Sequence, residues 1–221
     1  MYLLHYSPDT ASLVVRMVLA ELAVPHRARL IDRAAGELTQ ARYLALHPLA
    51  KIPAMETPQG PMFETAAMLL YLCDAHPGPM APQPAATDRG PFLTWLFFTS
   101  TNIHPTLLQL FYPERTAGPD CAPQVLAHAR AQMQTLLATL EAMVARDRPD
   151  WLSPHKPTLL GYYIAMLLHW LGQTPPDHPG HLASQDYPAL HAILTHLESR
   201  PAAQTIAADE GLGPTPFTHP I

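Results

Sequence analysis

The hydrophobic pattern changes period repeatedly over the first 75 residues and then settles. Tyr2 to His5 is a short apolar run with the look of a strand. Ala11 to Val24 follows a helical period, with Val14, Val18 and Leu22 on one stripe, Leu13 and Met17 beside it, and Pro25 as the stop. His26 to Ile31 alternates loosely, as a second strand would. Thr39 to Leu46 predicts a short helix closed by His47-Pro48. Ala54 to Glu56 and Pro61 to Phe63 flank Thr57-Pro58-Gln59-Gly60 and predict a hairpin, and Glu64 to His76 predicts a helix. The resulting order, β-α-β-α-β-β-α, suits a layered α/β domain over residues 1–77.

From His76 the chain runs Pro-Gly-Pro-Met-Ala-Pro-Gln-Pro, with little helix or strand potential, so residues 78–86 are predicted as a linker. Beyond it the period stays helical, and residues 87–221 are predicted as an all-α domain. Thr87 to Tyr112, Pro123 to Arg146, Thr158 to Leu171 and Tyr187 to Ser199 each predict a helix. In the second of these, Met133, Leu136, Leu137, Leu140, Met143 and Val144 recur at three- and four-residue steps. Thr158 to Leu171 is apolar all round, which predicts the buried central helix of that domain.

Composition narrows the function classes. Apolar residues make up 48% of the 221 and charged residues 14%, enough for two cores. The net charge of −5 gives no basic footprint for nucleic acid or a membrane surface. Tyr162 to Leu171, the longest apolar run, is too short to span a bilayer. The chain starts in a strand-like run, not in a signal peptide, and its cysteines, Cys73 and Cys121, form no C-x-x-C pair; a reducing cytoplasm is expected. Thirteen histidines raise the question of a metal, but His178, His181, His191 and His196 lack zinc spacing, and none is expected.

Two segments carry candidate chemistry. Ile52-Pro53 stands directly before a predicted strand, where proline donates no hydrogen bond. A cis bond there would turn the Ile52 N–H and C=O outward, to pair with an extended peptide; an ordinary trans proline is the commoner outcome. Glu64-Thr65 opens a predicted helix. Its free N–H groups attract a carboxylate and Glu64 can accept from an ammonium, although a plain acidic helix start reads the same way.

Together, His47-Pro48, Ala50, Ile52-Pro53, Met55 and Glu64-Thr65 resemble the glutathione-binding half of the glutathione S-transferase family. Tyr6-Ser-Pro-Asp-Thr-Ala-Ser-Leu is similar to the opening of the bacterial beta-type members, and Thr101-Asn-Ile-His104 to a motif in the first helix of their second domain. The resemblance implies a thioredoxin-like domain followed by a helical bundle, acting as a homodimer, with glutathione as co-substrate and a small apolar electrophile as second substrate. It implies that Ile52 pairs with the cysteinyl backbone, with Lys51 and Pro53 beside it. It also implies that Glu64 and Thr65 hold the γ-glutamyl end, and that Thr101, Asn102 and His104 shape the second-substrate cleft. A thiol must ionise near neutral pH, so donors at the start of the first helix are required. Ser12, Ser7 and Tyr6 are the candidates, Ser12 first; capping that helix is its other reading.

Several positions depart from the family pattern. Ala11 replaces the beta-type cysteine, which excludes a mixed disulfide at that place. His47 replaces an Asn, Ala50 a Gly (a mild change by sequence), and Phe97 an Asn that contacts ligand in relatives. Thr158-Leu-Leu-Gly161 lacks the acidic residue of a capping box, so Gly161→Asp is expected to stabilise the chain. Cys73 is expected to be a buried structural thiol, and Trp95, Phe97, Phe98, Phe111 and Tyr112 to divide between a cleft and the core or an interface. The resemblance leaves open isomerisation or dehalogenation by the same thiolate, and a non-catalytic binding protein.

Overall fold

The computed structural model describes residues 1–220. Four strands form one sheet in the order β2-β1-β3-β4: β1 Tyr2–Tyr6, β2 His26–Leu30, β3 Ala54–Thr57 and β4 Gly60–Met62. β1 and β2 are parallel, with Leu4 opposite Ala28, and α1 (Ser12–Glu21) is their crossover. β3 runs antiparallel to β1, Leu4 opposite Met55, and turns through a two-residue loop into β4. A 3₁₀ turn at Glu37–Thr39 leads into α2 (Ala41–Leu44), so the helix expected over Thr39 to Leu46 is two shorter pieces. α3 spans Thr65–Ala75.

The second half is helical: α4 Arg89–Phe98, α5 His104–Phe111, α6 Glu114–Ala117, α7 Ala122–Asp147, α8 Leu159–Gly172, α9 Pro188–Glu198 and α10 Pro201–Glu210. The single helix expected from Thr87 to Tyr112 is α4 and α5 joined by a π-helical turn at Thr99–Ile103. Such turns are inserted within helices and shift the register by one residue, which a polar Thr-Ser-Thr-Asn stretch does not reveal in the hydrophobic pattern. α10 was not expected, because Pro201-Ala-Ala-Gln has no apolar stripe of its own; it buries only Ala203, Ile206 and Ala207.

α8 is the centre of the molecule. Every residue from Leu159 to His169 is buried, as the all-round apolar sequence requires. α1 and α9 pack against it, with α3 and α5 also in contact, and α10 packs on α1. One contiguous core, containing Leu4, Val14 and Leu69 as well as Leu140 and Leu167, therefore spans both halves. A smaller cluster of Ile31, Tyr43 and Ala54, with Ile52 against it, fixes the segment ahead of β3.

Two local readings change. At Gly161 a side chain is tightly placed: a Cβ there would stand 3.0 Å from Thr158 Oγ1 and 3.3 Å from Leu197 Cδ1, so both must shift by a few tenths of an ångström to admit a capping carboxylate. The glycine lets α9 approach, while Thr158 Oγ1 still caps α8 by accepting from the Gly161 N–H at 3.1 Å. Ala50 is not a mild change in conformational terms. It has φ +53, the left-handed region in which an L side chain costs about 1–2 kcal/mol.

Candidate functional site

A cleft of about 1060 Å³ lies between the sheet domain and the helical domain. Three pieces of the first domain line one side: the β1–α1 loop at Asp9, Thr10 and Ala11; the segment Ala50–Pro53; and Glu64–Thr65 at the start of α3. Ser100, His104 and Leu108 from the π turn and α5, then Phe111 and Tyr112, line the other side, with Trp170 and Gln173 at the end of α8. Arg33, Lys51 and Arg115 are cations on its rim.

The segment before β3 is held from beneath. The buried Tyr43 hydroxyl donates to the Lys51 carbonyl at 2.6 Å, and burial pushes its pKa up to about 12. Ile52–Pro53 is a cis bond, as the peptide-pairing reading of that proline requires. His47, buried against the Phe63 ring at 4.9 Å, accepts from the Leu49 N–H at 3.3 Å, and burial lowers its pKa. It closes the turn that delivers Ala50 to the cleft.

At α3, Glu64 has φ +73 and makes no side-chain cap bond, so its carboxylate stays exposed while Thr65 is buried beside it. The first-turn N–H groups of α3 and this carboxylate lie at one point, a donor set and an acceptor suited to an α-amino acid end.

The candidate donors at the first helix are placed differently from expectation. Ser12 is fully buried; its hydroxyl donates to the Ser7 carbonyl at 3.0 Å and lies 2.8 Å from Thr10 Oγ1. Ser7 is also buried, and Tyr6 packs against Arg16, whose guanidinium lies 4.7 Å from the ring centre. None of the three lines the cleft. Their polar groups fold the loop, and Thr10 and Ala11 are what it presents. No protein oxygen among the described residues accepts the N–H of Thr10 or Ala11.

On the helical side the motif divides as well. Thr101 and Asn102 do not line the cleft; their side chains donate back to Phe97 O and Phe98 O at 2.7 and 3.3 Å. Inside the π turn the register shifts, so Ser100 joins His104, the last residue of the motif, in facing the ligand space. His104 Nδ1 lies 2.9 Å from the buried Tyr163 hydroxyl. Among the described residues that hydroxyl has no other partner, so we assign it as the donor and Nδ1 as the acceptor, with the ring proton on Nε2. Among the described residues no group bonds Nε2, and His104 lines the cleft. Burial, with a smaller push from the Lys51 cation, lowers the His104 pKa to about 4, so the ring is a neutral donor at physiological pH.

Of the aromatics, Phe111 and Tyr112 line the cleft, Trp95 lies in a separate groove against α7, and Phe97 is exposed away from both. Cys73 is buried and its pKa is pushed up to about 12, first by burial. Sequence reasoning missed Asp9, Trp170 and Gln173, which meet across 160 residues of chain. The lone signal was an acidic residue after Ser-Pro in a loop.

Comparison with known proteins agrees with this geometry. The family model Glutathione S-transferase, N-terminal domain, matches residues 11–75, from the β1–α1 loop to the end of α3. The chain is 25% identical to Glutathione S-transferase GST-4.5 of Xanthomonas campestris, over 95% of this chain and 98% of that one. A sphingomonad glutathione S-transferase, solved in complex with glutathione, is 27% identical and superposes with a TM-score of 0.75, over 96% of this chain and all of that one. A beta-class enzyme of Sphingomonas chungbukensis superposes equally well at 25% identity. The first domain thus matches the glutathione S-transferase N-terminal model, and over nearly its whole length the chain is similar in sequence and fold to bacterial glutathione S-transferases.

Proposed function

We propose that the chain conjugates the thiolate of glutathione to a small apolar electrophile. The observation that carries this reading is the convergence of Ile52–Pro53, Glu64–Thr65 and the Thr10–Ala11 loop on one cleft. Glutathione lies extended along Lys51–Pro53, its cysteinyl backbone paired with Ile52 and its γ-glutamyl end at Glu64 and Thr65. Its sulfur then rests by Thr10 and Ala11, where a helix begins. The unclaimed N–H groups of Thr10 and Ala11 favour the charged form of the sulfur and lower its pKa; the Thr10 hydroxyl, which donates to the Ser7 carbonyl at 2.7 Å, adds to them by turning from that carbonyl to the sulfur. The thiol proton leaves to water. The sulfur lone pair forms a C–S bond to the electrophilic carbon, and the leaving group departs with its bonding pair. The electrophile sits against Leu108, Phe111, Tyr112 and Trp170, with His104 Nε2–H as a neutral donor nearby.

One observation favours a second reading, a glutathione-binding protein without turnover: Ala11 stands where beta-type relatives have cysteine, and Ser12 is buried. Thr10 decides between them. Retention on immobilised glutathione, with turnover of 1-chloro-2,4-dinitrobenzene that falls about tenfold or more in Thr10→Val, supports conjugation by this loop. Retention with no turnover across a panel of electrophiles supports the binding protein, and no retention removes both. A homodimer and a reducing cytoplasmic setting complete the proposal. The homodimer rests on the family resemblance and is tested by light scattering; the setting rests on two unpaired cysteines, Cys73 and Cys121.

A further inference from the structure

We propose that Asp9 is the positioning residue for thiol activation: through α8 and α10 it fixes the loop that receives the sulfur, and with the same carboxylate it fixes the electrophile wall. The inference rests on the conjugation reading above.

Asp9 is the one residue of the loop bonded to both helices behind the cleft. Its Oδ1 accepts from the Trp170 Nε1–H at 2.7 Å and from His169 Nε2 at 3.1 Å, and its Oδ2 accepts from Gln173 at 3.1 Å. Its backbone N–H donates to Glu210 Oε2 at 2.8 Å, and the Glu210 side chain, with no exposed surface, is itself held by Arg16 at 2.7 Å. Asp9 has φ +49, a left-handed conformation that aspartate adopts more readily than most L residues but still at a cost. Four bonds impose it here. The next two residues, Thr10 and Ala11, are the ones the loop presents to the cleft. A change at Asp9 therefore moves the donors and not merely the surface.

The carboxylate is matched to this task. Three N–H groups converge on it, and fully buried His169 has its other ring nitrogen 2.6 Å from the Pro216 carbonyl, so both ring nitrogens face acceptors. An amide at position 9 would turn an NH₂ towards at least one of these donors. Trp170 and Gln173 are themselves cleft-lining residues, so the same contacts place the wall against which the electrophile rests. Burial would raise the Asp9 pKa, but the bonds from His169, Gln173 and Trp170 outweigh it and hold it near 2, so the carboxylate stays charged across the working pH range. The other ionisable groups at this corner are His169 of α8, Glu210 and Asp209 of α10, and Arg16 of α1, which pairs with both acids.

The sign of one measurement separates positioning from charge. A carboxylate near a thiolate disfavours it by repulsion, so if Asp9 acted by charge alone, Asp9→Asn would lower the thiol pKa. Positioning predicts the reverse. The thiolate absorbance of glutathione bound to the enzyme, titrated against pH without electrophile, gives that pKa in wild type, Asp9→Asn, Asp9→Ala and Trp170→Phe. Expected is a rise towards the free-thiol value near 8.5 in both Asp9 variants, with kcat at pH 7 down about tenfold and the glutathione KM within about twofold. Trp170→Phe removes one of the three donors and is expected to lower kcat/KM for the electrophile with a smaller shift in the thiol. A thiol pKa that is unchanged or lower in Asp9→Asn, with only the thermal midpoint reduced, overturns the inference and leaves a structural clasp. Wild type that fails to bind glutathione in a calorimeter overturns the conjugation reading and this inference with it. Wild type that binds with an unshifted thiol overturns the inference and the activation of the thiol by the Thr10–Ala11 loop, and leaves glutathione binding standing.

Discussion

At the scale of single residues, His104 shows how burial converts a titratable ring into a fixed donor. Its pKa falls from 6.5 to about 4 because the charged form is desolvated and faces Lys51. The unfolded chain takes up a proton at 6.5 and the folded one only near 4, so between those values the unfolded state binds more protons. Stability from this group is therefore complete above pH 6.5 and lost as pH falls towards 4, by up to about 3 kcal/mol. In His104→Gln the denaturation midpoint is expected to vary less with pH over that window than in wild type. Parallel curves would place the His104 ring in water.

Single positions also show what residue types convey. Ile52-Pro53 and Glu64-Thr65 were legible as sequence because proline and a helix start restrict the backbone locally. Ser12 misled for a related reason. Its hydroxyl belongs at a helix start, but which way it points is set by Ser7 and Thr10 in the folded loop.

At the scale of elements, α8 is the clearest case of pattern becoming structure. Its sequence is apolar on all sides, and it is buried on all sides. Its start depends on Thr158, almost wholly buried, so Thr158→Ala is expected to lower stability by about 1–2 kcal/mol in chemical denaturation. Gly161→Asp, which cap chemistry alone would favour, is expected to lower it by about 1–3 kcal/mol, because a side chain there forces Thr158 and Leu197 apart. A gain would mean that α9 yields easily. The long helix expected before it is divided by a π turn at Thr99–Ile103, and that extra residue of winding brings Ser100 to the cleft beside His104, in place of Thr101 and Asn102. A hydrophobic period constrains which face is apolar. It does not reveal a one-residue change of register within a polar Thr-Ser-Thr-Asn stretch.

At the scale of the whole molecule, the two halves are joined by polar clasps as well as by the shared core. Glu21 at the end of α1 accepts from the Tyr162 hydroxyl of α8 at 2.6 Å and from Arg200 at 3.0 and 2.9 Å. Burial would raise its pKa, but the bonds from Arg200 and Tyr162 prevail and lower it. Glu21→Ala strands a buried tyrosine hydroxyl and a part-exposed guanidinium, and is expected to cost about 1–3 kcal/mol, less than a fully buried pair because water still reaches Arg200. A midpoint within error of wild type would show that the apolar core alone joins the halves.

The amino-acid sequence by itself determined the kind of each main element, the change from mixed α/β to helical near residue 76, and the two backbone motifs that mark the family. All of these are read over a few neighbouring residues, where sterics, periodicity and capping act. Only the tertiary structure decided which polar groups reach the cleft. Asp9 with His169, Trp170 and Gln173, and Glu21 with Arg200, meet across more than 150 residues, and α10 exists because α1 offers it a surface. Contacts at that separation depend on how packed elements sit against one another, and no local pattern carries that information.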